Sequence, residues 1–176
     1  NHLMKQPARG FLTDSLSCEC IHYYSARPNH AHPNTRKRFD LYMDCLQNTG
    51  IEVHLGKYRK RKAKCKLCKK TYAYHEEKET DVAIGVGIIQ NVCNHNLDAI
   101  IVISGDADLI PAYSVIKEMR PNTARIVALP FARSLKVVKE AVDHYFNLTP
   151  KIYTQHQFDN PLILPNGRTI SKPVNW

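Results

Sequence analysis

Two aspartates, Asp106 and Asp108, stand one residue apart directly after the apolar run "DAIIVIS" and Gly105. Carboxylates are costly to place near a protein core, so a helix start, a basic side chain or a metal ion should compensate them. One aspartate alone would favour simple capping of the helix that begins near Ile110. Two carboxylates there, with Asp81 as a third, favour an oxygen-rich site for Mg²⁺ or Mn²⁺.

Such a site suits phosphodiester hydrolysis, because a bound Mg²⁺ or Mn²⁺ can activate a water and stabilise the leaving oxygen. Ligands of open α/β sheets bind at the carboxyl ends of the strands, where Asp106 and Asp108 stand. We therefore predict that Asp81, Asp106 and Asp108 are catalytic and hold the metal. A metal-dependent phosphatase acting on small phosphoesters would use the same acids, but it would not need the strongly basic segment that this chain has at 57–70.

That basic segment, "KYRKRKAKCKLCKK" at 57–70, holds nine Lys or Arg and no acid, while the net charge of the whole chain is +9. The rest of the chain is thus formally neutral. Such a concentration predicts a surface for a polyanion such as RNA, with a solvated charge run as the alternative. Tyrosines within and after it can stack on unpaired bases or pack a small hairpin. The predicted RNA contacts are Lys57, Tyr58, Arg59, Lys60, Arg61, Lys62, Lys64, Lys66, Lys69 and Lys70, with Arg133 and Ser134 as a phosphate site at a helix N-terminus. The alternative for Ser134 is a plain N-cap of that helix.

Cys65 and Cys68 have the CxxC spacing of a zinc knuckle. The sequence has no second CxxC, so the pair is a candidate structural Zn²⁺ site whose other ligands would have to be found in space. The alternative is a turn that carries free thiols, since the six cysteines fit no regular disulfide framework. The candidates for the remaining ligands are Cys18, Cys20, His54 and His75.

Strand and helix patterns alternate along most of the chain. This alternation predicts a three-layer α/β fold with a mainly parallel central sheet, whose strands at 98–104 and 124–130 are buried on both faces. We predict one domain, residues 1–149, with a basic CxxC hairpin inserted at about 57–74. Residues 150–176, proline-rich and without helical periodicity, are predicted to form an extended arm packed on it. The remaining predicted elements are strands at 19–26 and 51–58 and helices at 35–48, 81–93, 110–119 and 134–145.

The composition, with 43% apolar residues in 176, is that of a globular protein. No apolar stretch approaches the roughly 20 residues of a membrane helix, and the first residues lack the pattern of a signal peptide. We expect a cytoplasmic protein without a membrane partner.

Three blocks, "EEKETDVAIGVGII", "DAIIVISGDADLIPAYSVIKE" and "RIVALP", resemble the NYN-domain proteins, a PIN-like nuclease group that includes the LabA-like bacterial members. The resemblance extends over about residues 23–146, and "GDAD" and "TDV" are its most specific parts. "HYYSAR", "HLGKYR", the CxxC and "LPNGRTISKPVNW" are similar to features of the LabA-like branch. The family implies a PIN-like, Rossmann-like domain with a metal-dependent ribonuclease site, onto whose acidic positions Asp81, Asp106 and Asp108 fall.

Two departures from the family pattern leave a second function open. Family members usually begin with a strand ending in aspartate before an asparagine; Asn1 matches the asparagine, and this sequence has no aspartate before it. The helix after "TDV" commonly carries a second acid where this chain has Gly87. The chain is therefore predicted to be a ribonuclease or, alternatively, a non-catalytic RNA-binding or regulatory domain. RNA is the expected partner in both cases, and a homodimer is a further candidate assembly.

Overall fold

A computed structural model describes residues 17–132 and 136–174 of the chain. Strands and helices alternate along it, so the predicted α/β class is confirmed. The described strands are β1 (His22–Ala26), β2 (Glu52–Lys64), β3 (Thr71–Lys78), β4 (Ala99–Ile103), β5 (Ala124–Leu129), β6 (His144–Asn147), β7 (Leu162–Ile163) and β8 (Thr169–Ile170). The described helices are α1 (Pro33–Asn48), α2 (Thr80–Asn94), α3 (Ile110–Met119), α4 (Lys136–Glu140) and α5 (Pro150–Gln155), with a 3₁₀ turn at Ala107–Leu109.

The chain divides into two compact units. The first extends to Thr80 and resumes at Phe158, and the second is Asp81–Gln157. In the first unit β1 and β2 pair in parallel, β2 and β3 are antiparallel, and β7 and β8 form a small antiparallel sheet. In the second unit β4, β5 and β6 are all parallel. The strands are therefore mainly parallel, as predicted, and they form one three-stranded sheet in each unit.

Helix α1 begins at Pro33, two residues before the predicted start at 35, and ends at Asn48 as predicted. The ring of His32 accepts a hydrogen bond from the Asn34 N–H, and Pro33 occupies the first turn, where its missing N–H costs nothing. Gly50 follows the helix with a φ of +84°, in the left-handed region that glycine adopts without strain. The predicted C-terminal limit of this helix, residue 48, is confirmed.

The segment after residue 149 differs in part from the predicted extended arm. It contains α5, where the Thr149 hydroxyl accepts a hydrogen bond from the Ile152 N–H and Pro150 occupies the first turn. A helix of six residues is too short to show periodicity, so the cap and the proline were the available signals. The chain then packs apolar residues of the β7–β8 hairpin around Cys45 of α1. The domain limits at 149 and 150 stay a prediction.

The core of the second unit lies on one face of its sheet. Tyr113 of α3, Val127 and Leu129 of β5 and Val138 of α4 are all at most 1% exposed. Strand β5 is buried, as predicted, but burial of β4 on both faces is wrong, because Ile101 and Ile103 are 44% and 67% exposed. Among the described strands, β4 lies at the edge of its sheet, and the core packs only against its other face, which carries Val102.

The ion pair of the buried Arg125 with Asp143 explains why the helix predicted at 134–145 is found only at Lys136–Glu140 among the described residues. Asp143 accepts two hydrogen bonds from the Arg125 guanidinium, of 2.8 and 2.6 Å, and a third of 2.8 Å from the Arg125 backbone N–H. These bonds fix the chain beside β5, so α4 ends at Glu140 and residues 144–147 pair with β5 as β6. Hydrogen bonds from the buried Arg125 lower the pKa of Asp143 to about 2.

None of the helices in residues 17–132 and 136–174 combines the length and apolarity that crossing a bilayer requires.

Candidate metal centre and nucleic-acid surface

The three predicted acids come together within the second unit. Carboxylate oxygens of Asp81, Asp106 and Asp108 all lie within 4.8 Å of one another, and the three residues are exposed. Asp81 stands in the first turn of α2, whereas Asp106 and Asp108 follow β4 and lead into α3. The fold therefore makes neighbours of Asp81 and Asp106, which are 25 positions apart along the chain.

Asp106 also performs the capping role that was the alternative to metal binding. Its Oδ1 accepts a hydrogen bond of 2.9 Å from the Asp108 N–H at the start of the 3₁₀ turn. The Asp106 N–H in turn donates to the Ser104 hydroxyl at 3.1 Å. These bonds fix the loop after β4, so capping and metal binding are compatible here: the cap holds the Asp106 carboxylate in place.

Three carboxylates this close repel one another unless a cation is added. Within the described residues, neither Asp106 nor Asp108 lies within 4 Å of a Lys, Arg or His nitrogen. Burial, and to a smaller extent the negative charge of Asp106, raises the pKa of the core residue Tyr113 to about 12. An all-oxygen donor set of this kind fits a hard divalent ion such as Mg²⁺ or Mn²⁺.

The turn that leads to Asp81 depends on Gly56, a residue that was not predicted to matter for the site. A Cβ at Gly56 of β2 would lie 2.8 Å from the Thr80 hydroxyl and 2.9 Å from the Lys78 carbonyl oxygen, which is too close for any larger residue. The Thr80 hydroxyl also donates a hydrogen bond of 2.6 Å to Glu77. Gly56 thus lets the start of α2 approach β2; a glycine inside a strand pattern was the available signal.

Gly87, at the position where the family commonly carries a further acid, is buried in the middle of α2. Its carbonyl oxygen accepts a hydrogen bond of 2.8 Å from the Asn91 side chain. Within the described part of the chain, the acid cluster therefore has the three members already named.

The predicted basic segment is an ordered hairpin of β2 and β3, in which the two faces differ in charge. On one face, which we call the paired face, Lys57 and Arg59 contact Glu79 and Arg61 contacts Glu76. The opposite face, the lysine face, carries alternate residues of β2 and their partners on β3. Its basic residues are Lys60, Lys62 and Lys64, none of which lies within 4 Å of a carboxylate in the described residues.

Aromatic rings accompany both faces. Tyr58 lies on the lysine face, where the His30 ring contacts it edge-on at 4.6 Å and stacks on His75 at 4.0 Å. Tyr72 and Tyr74 lie on the paired face, 54% and 40% exposed. The lysine face therefore combines unpaired positive charge with rings, as surfaces for single-stranded nucleic acid do.

The CxxC forms the tip of this hairpin. The Cys65 N–H donates to the Lys70 carbonyl oxygen at 2.8 Å, and backbone N–H groups of Cys68 and then Leu67 lower the pKa of the Cys65 thiol. In the part of the chain that the structure describes, no third His, Cys, Asp or Glu joins the two thiols within 4.8 Å. Zinc binding here stays a prediction. The predicted phosphate site at Arg133 and Ser134 lies outside the described residues.

A second donor cluster was not predicted. His22, Glu52 and His54 lie together on β1 and β2. From the sequence, His54 was a candidate ligand only for a zinc ion at the CxxC, and His22 was not a candidate ligand. The signal that would have found them is the β1–β2 register, in which His22 lies opposite Glu52, and residues two apart on a strand share a face.

The chain matches the model of the NYN domain over residues 9–149. It is also similar to the crystal structure of a protein of unknown function from Vibrio parahaemolyticus, with a TM-score of 0.52 and 20% identity over 75% of this chain and 70% of that one. This likeness shows the fold alone. No protein of curated function matches the chain. With its α/β architecture, mainly parallel strands and aspartate cluster, the chain belongs to the NYN-domain family, within the PIN-like nuclease superfamily.

Proposed function

We propose that this protein is a ribonuclease that hydrolyses RNA phosphodiester bonds with Mg²⁺ or Mn²⁺. The observation that carries the proposal is the convergence of Asp81, Asp106 and Asp108 within 4.8 Å at the end of β4. The NYN family supports a nucleic-acid substrate, and the lysine face of the hairpin supports RNA as the partner.

In this mechanism the three aspartates bind the divalent ion and orient the attacking water toward the phosphorus. Asp106, fixed by the Asp108 N–H, needs no rearrangement before binding. When bound, the ion lowers the pKa of the water and stabilises the negative charge on the leaving oxygen. Since all three carboxylates are exposed, a phosphodiester in solution can reach them without opening of the core.

On the binding side, lysines of the lysine face contact phosphates, and Tyr58 offers an edge for an unpaired base. Phosphate contacts of this kind give affinity without sequence specificity, because every nucleotide presents the same backbone. Lys57, Arg59 and Arg61, whose charges are balanced by glutamates, contribute less to affinity in this proposal than the lysine face does. Lys66, Lys69 and Lys70 at the hairpin tip extend the basic surface.

The test is cleavage of a labelled single-stranded RNA in Mn²⁺, Mg²⁺ or EDTA by the wild type and by Asp108→Asn. We expect metal-dependent cleavage that the substitution lowers by about 100-fold or more, the scale of losing one preorganised electrostatic group. Asp98→Asn is a matched control, since Asp98 is an exposed aspartate just before the opposite end of β4. Cleavage by Asp108→Asn at the wild-type rate would contradict the proposal.

A second function, RNA binding without catalysis, is favoured by one observation, the buried Gly87 in place of a further acid. In that case the same assay shows RNA binding but no cleavage in any metal, and Asp108→Asn binds as the wild type does. The homodimer, the cytoplasmic location and the LabA-like branch stay predictions.

A further inference from the structure

Strands β1 and β2 place three metal-ligating side chains on one face of the first unit. The parallel register sets His22 opposite Glu52, and His54 follows two residues later on the same side of β2. The atoms that meet are His22 Nδ1, His54 Nε2 and Glu52 Oε2. Their separations are 3.0 Å between the two nitrogens, 3.3 Å from His22 to Glu52 and 4.0 Å from His54 to Glu52.

The three distances join the same three atoms, so all three donors point at one place. A shared proton can link only two of them at a time, whereas one cation can bind all three. Zinc held at about 2.0–2.1 Å places tetrahedral ligand atoms about 3.3 Å apart, close to the spacing observed. We infer that His22, Glu52 and His54 bind a single transition-metal ion of the zinc class, which links β1 to β2.

The donor types and their setting agree with this inference. Two imidazoles and one carboxylate are the ligands of open zinc sites that keep a position for water or substrate. The side chains are 20%, 63% and 42% exposed for His22, Glu52 and His54, so an ion can enter from solvent. The ring of Tyr24 stacks on His54 at 4.6 Å and an angle of 15°, which holds the plane of that ligand.

This site and the aspartate cluster should select different ions. The cluster of Asp81, Asp106 and Asp108 offers only carboxylate oxygens, which suit Mg²⁺ or Mn²⁺, while imidazole nitrogens favour Zn²⁺, Co²⁺ or Ni²⁺. The inference is therefore independent of the proposed nuclease, and either can fail without the other.

The test is titration of the full chain with Zn²⁺ against a chromophoric chelator, and with Co²⁺ by visible absorption. Both use a Cys65→Ser/Cys68→Ser background, so that the CxxC cannot contribute. We expect one bound ion, with affinity lowered about tenfold or more by His22→Gln and by His54→Gln. His95→Gln, which alters a histidine outside the cluster, should leave it unchanged.

Folding of each variant is checked by circular dichroism. If a histidine variant fails to fold, Glu52→Gln tests metal binding at this site instead, because this exposed carboxylate can lose its charge with little effect on packing. A tenfold weaker Zn²⁺ affinity in Glu52→Gln would support the site. No Zn²⁺ binding in the background protein, or binding that none of the three substitutions changes, would overturn it.

Discussion

The two units differ in how deeply the arginine of their arginine–aspartate pair is buried. In the first unit the pairs are exposed: Arg27 contacts Asp40 at 2.6 Å with side chains 52% and 44% exposed, and the paired face of the hairpin is similarly open. In the second unit Arg125 is 5% exposed and donates three hydrogen bonds to Asp143. Exposed pairs contribute little to stability, whereas breaking a buried pair is costly. Loss of the carboxylate should therefore cost more stability at the Arg125–Asp143 pair than at the Arg27–Asp40 pair.

The largest effect is expected where the buried pair is broken. Asp143→Ala leaves the guanidinium of Arg125 buried without its carboxylate and should lower the free energy of unfolding by about 3 kcal/mol. Asp40→Ala, the matched change in the first unit, should cost at most about 1 kcal/mol. Urea unfolding of both variants measures the difference. Equal losses would show that the contrast between the units is wrong.

A smaller effect, on RNA affinity, is expected to distinguish the lysine face of the hairpin from the paired face. Replacing Lys60, Lys62 and Lys64 together with Gln should weaken RNA binding about tenfold and reduce the slope of log affinity against log salt by about 2, since each phosphate contact on a single strand adds about 0.7. The matched triple change on the paired face, of Lys57, Arg59 and Arg61, should change affinity by less than about threefold.

Fluorescence anisotropy with labelled single-stranded RNA at several salt concentrations compares the two triple variants. If the paired face proves equally important, its ion pairs with Glu76 and Glu79 must open when RNA binds, and the distinction between the faces would have to be abandoned.

The smallest effect is a pH dependence specific to the second unit. Because the pKa of Asp143 is about 2 in the folded protein and near 3.9 unfolded, its contribution to stability is nearly complete at about pH 5 and is lost as pH falls toward 2. Discounted for a side chain 39% exposed, the loss should be about 1 kcal/mol. Urea unfolding at pH 5 and pH 3 measures it, and Asp143→Asn should remove the part due to this residue. A wild type whose pH dependence equals that of Asp143→Asn would contradict the assignment.

The elements that were predicted correctly are those whose sequence signals lie within the element or directly beside it. Helix α3 has the predicted limits of 110–119, and Gly50 marks the end of α1 because its backbone conformation is one that glycine favours. The pairing of Asp106 with Asp108 was visible in the same way, since both follow one strand. Asp81 was added from a motif, and the fold brings it to the other two.

The features that were missed depend on contacts between distant residues. Residues 141–145 belong to the predicted amphipathic helix, yet the hydrogen bonds between Asp143 and Arg125 place this segment beside β5. His22 and His54 meet only through the register of β1 on β2, and Gly56 is required only because Thr80 approaches it. No local pattern encodes a register, so the meeting of His22 with His54 could not be predicted from the sequence alone, whereas the glycine within a strand pattern was a signal for Gly56.

The most direct test of the aspartate site is a titration with Mn²⁺, following the electron paramagnetic resonance signal of the free ion. Wild type, Asp106→Asn and His54→Gln are compared at equal concentration. We expect Asp106→Asn to bind Mn²⁺ about tenfold or more weakly, because it loses a charged ligand, and His54→Gln to bind as the wild type does. Equal Mn²⁺ affinity in wild type and Asp106→Asn would contradict the claim that these aspartates form a metal centre.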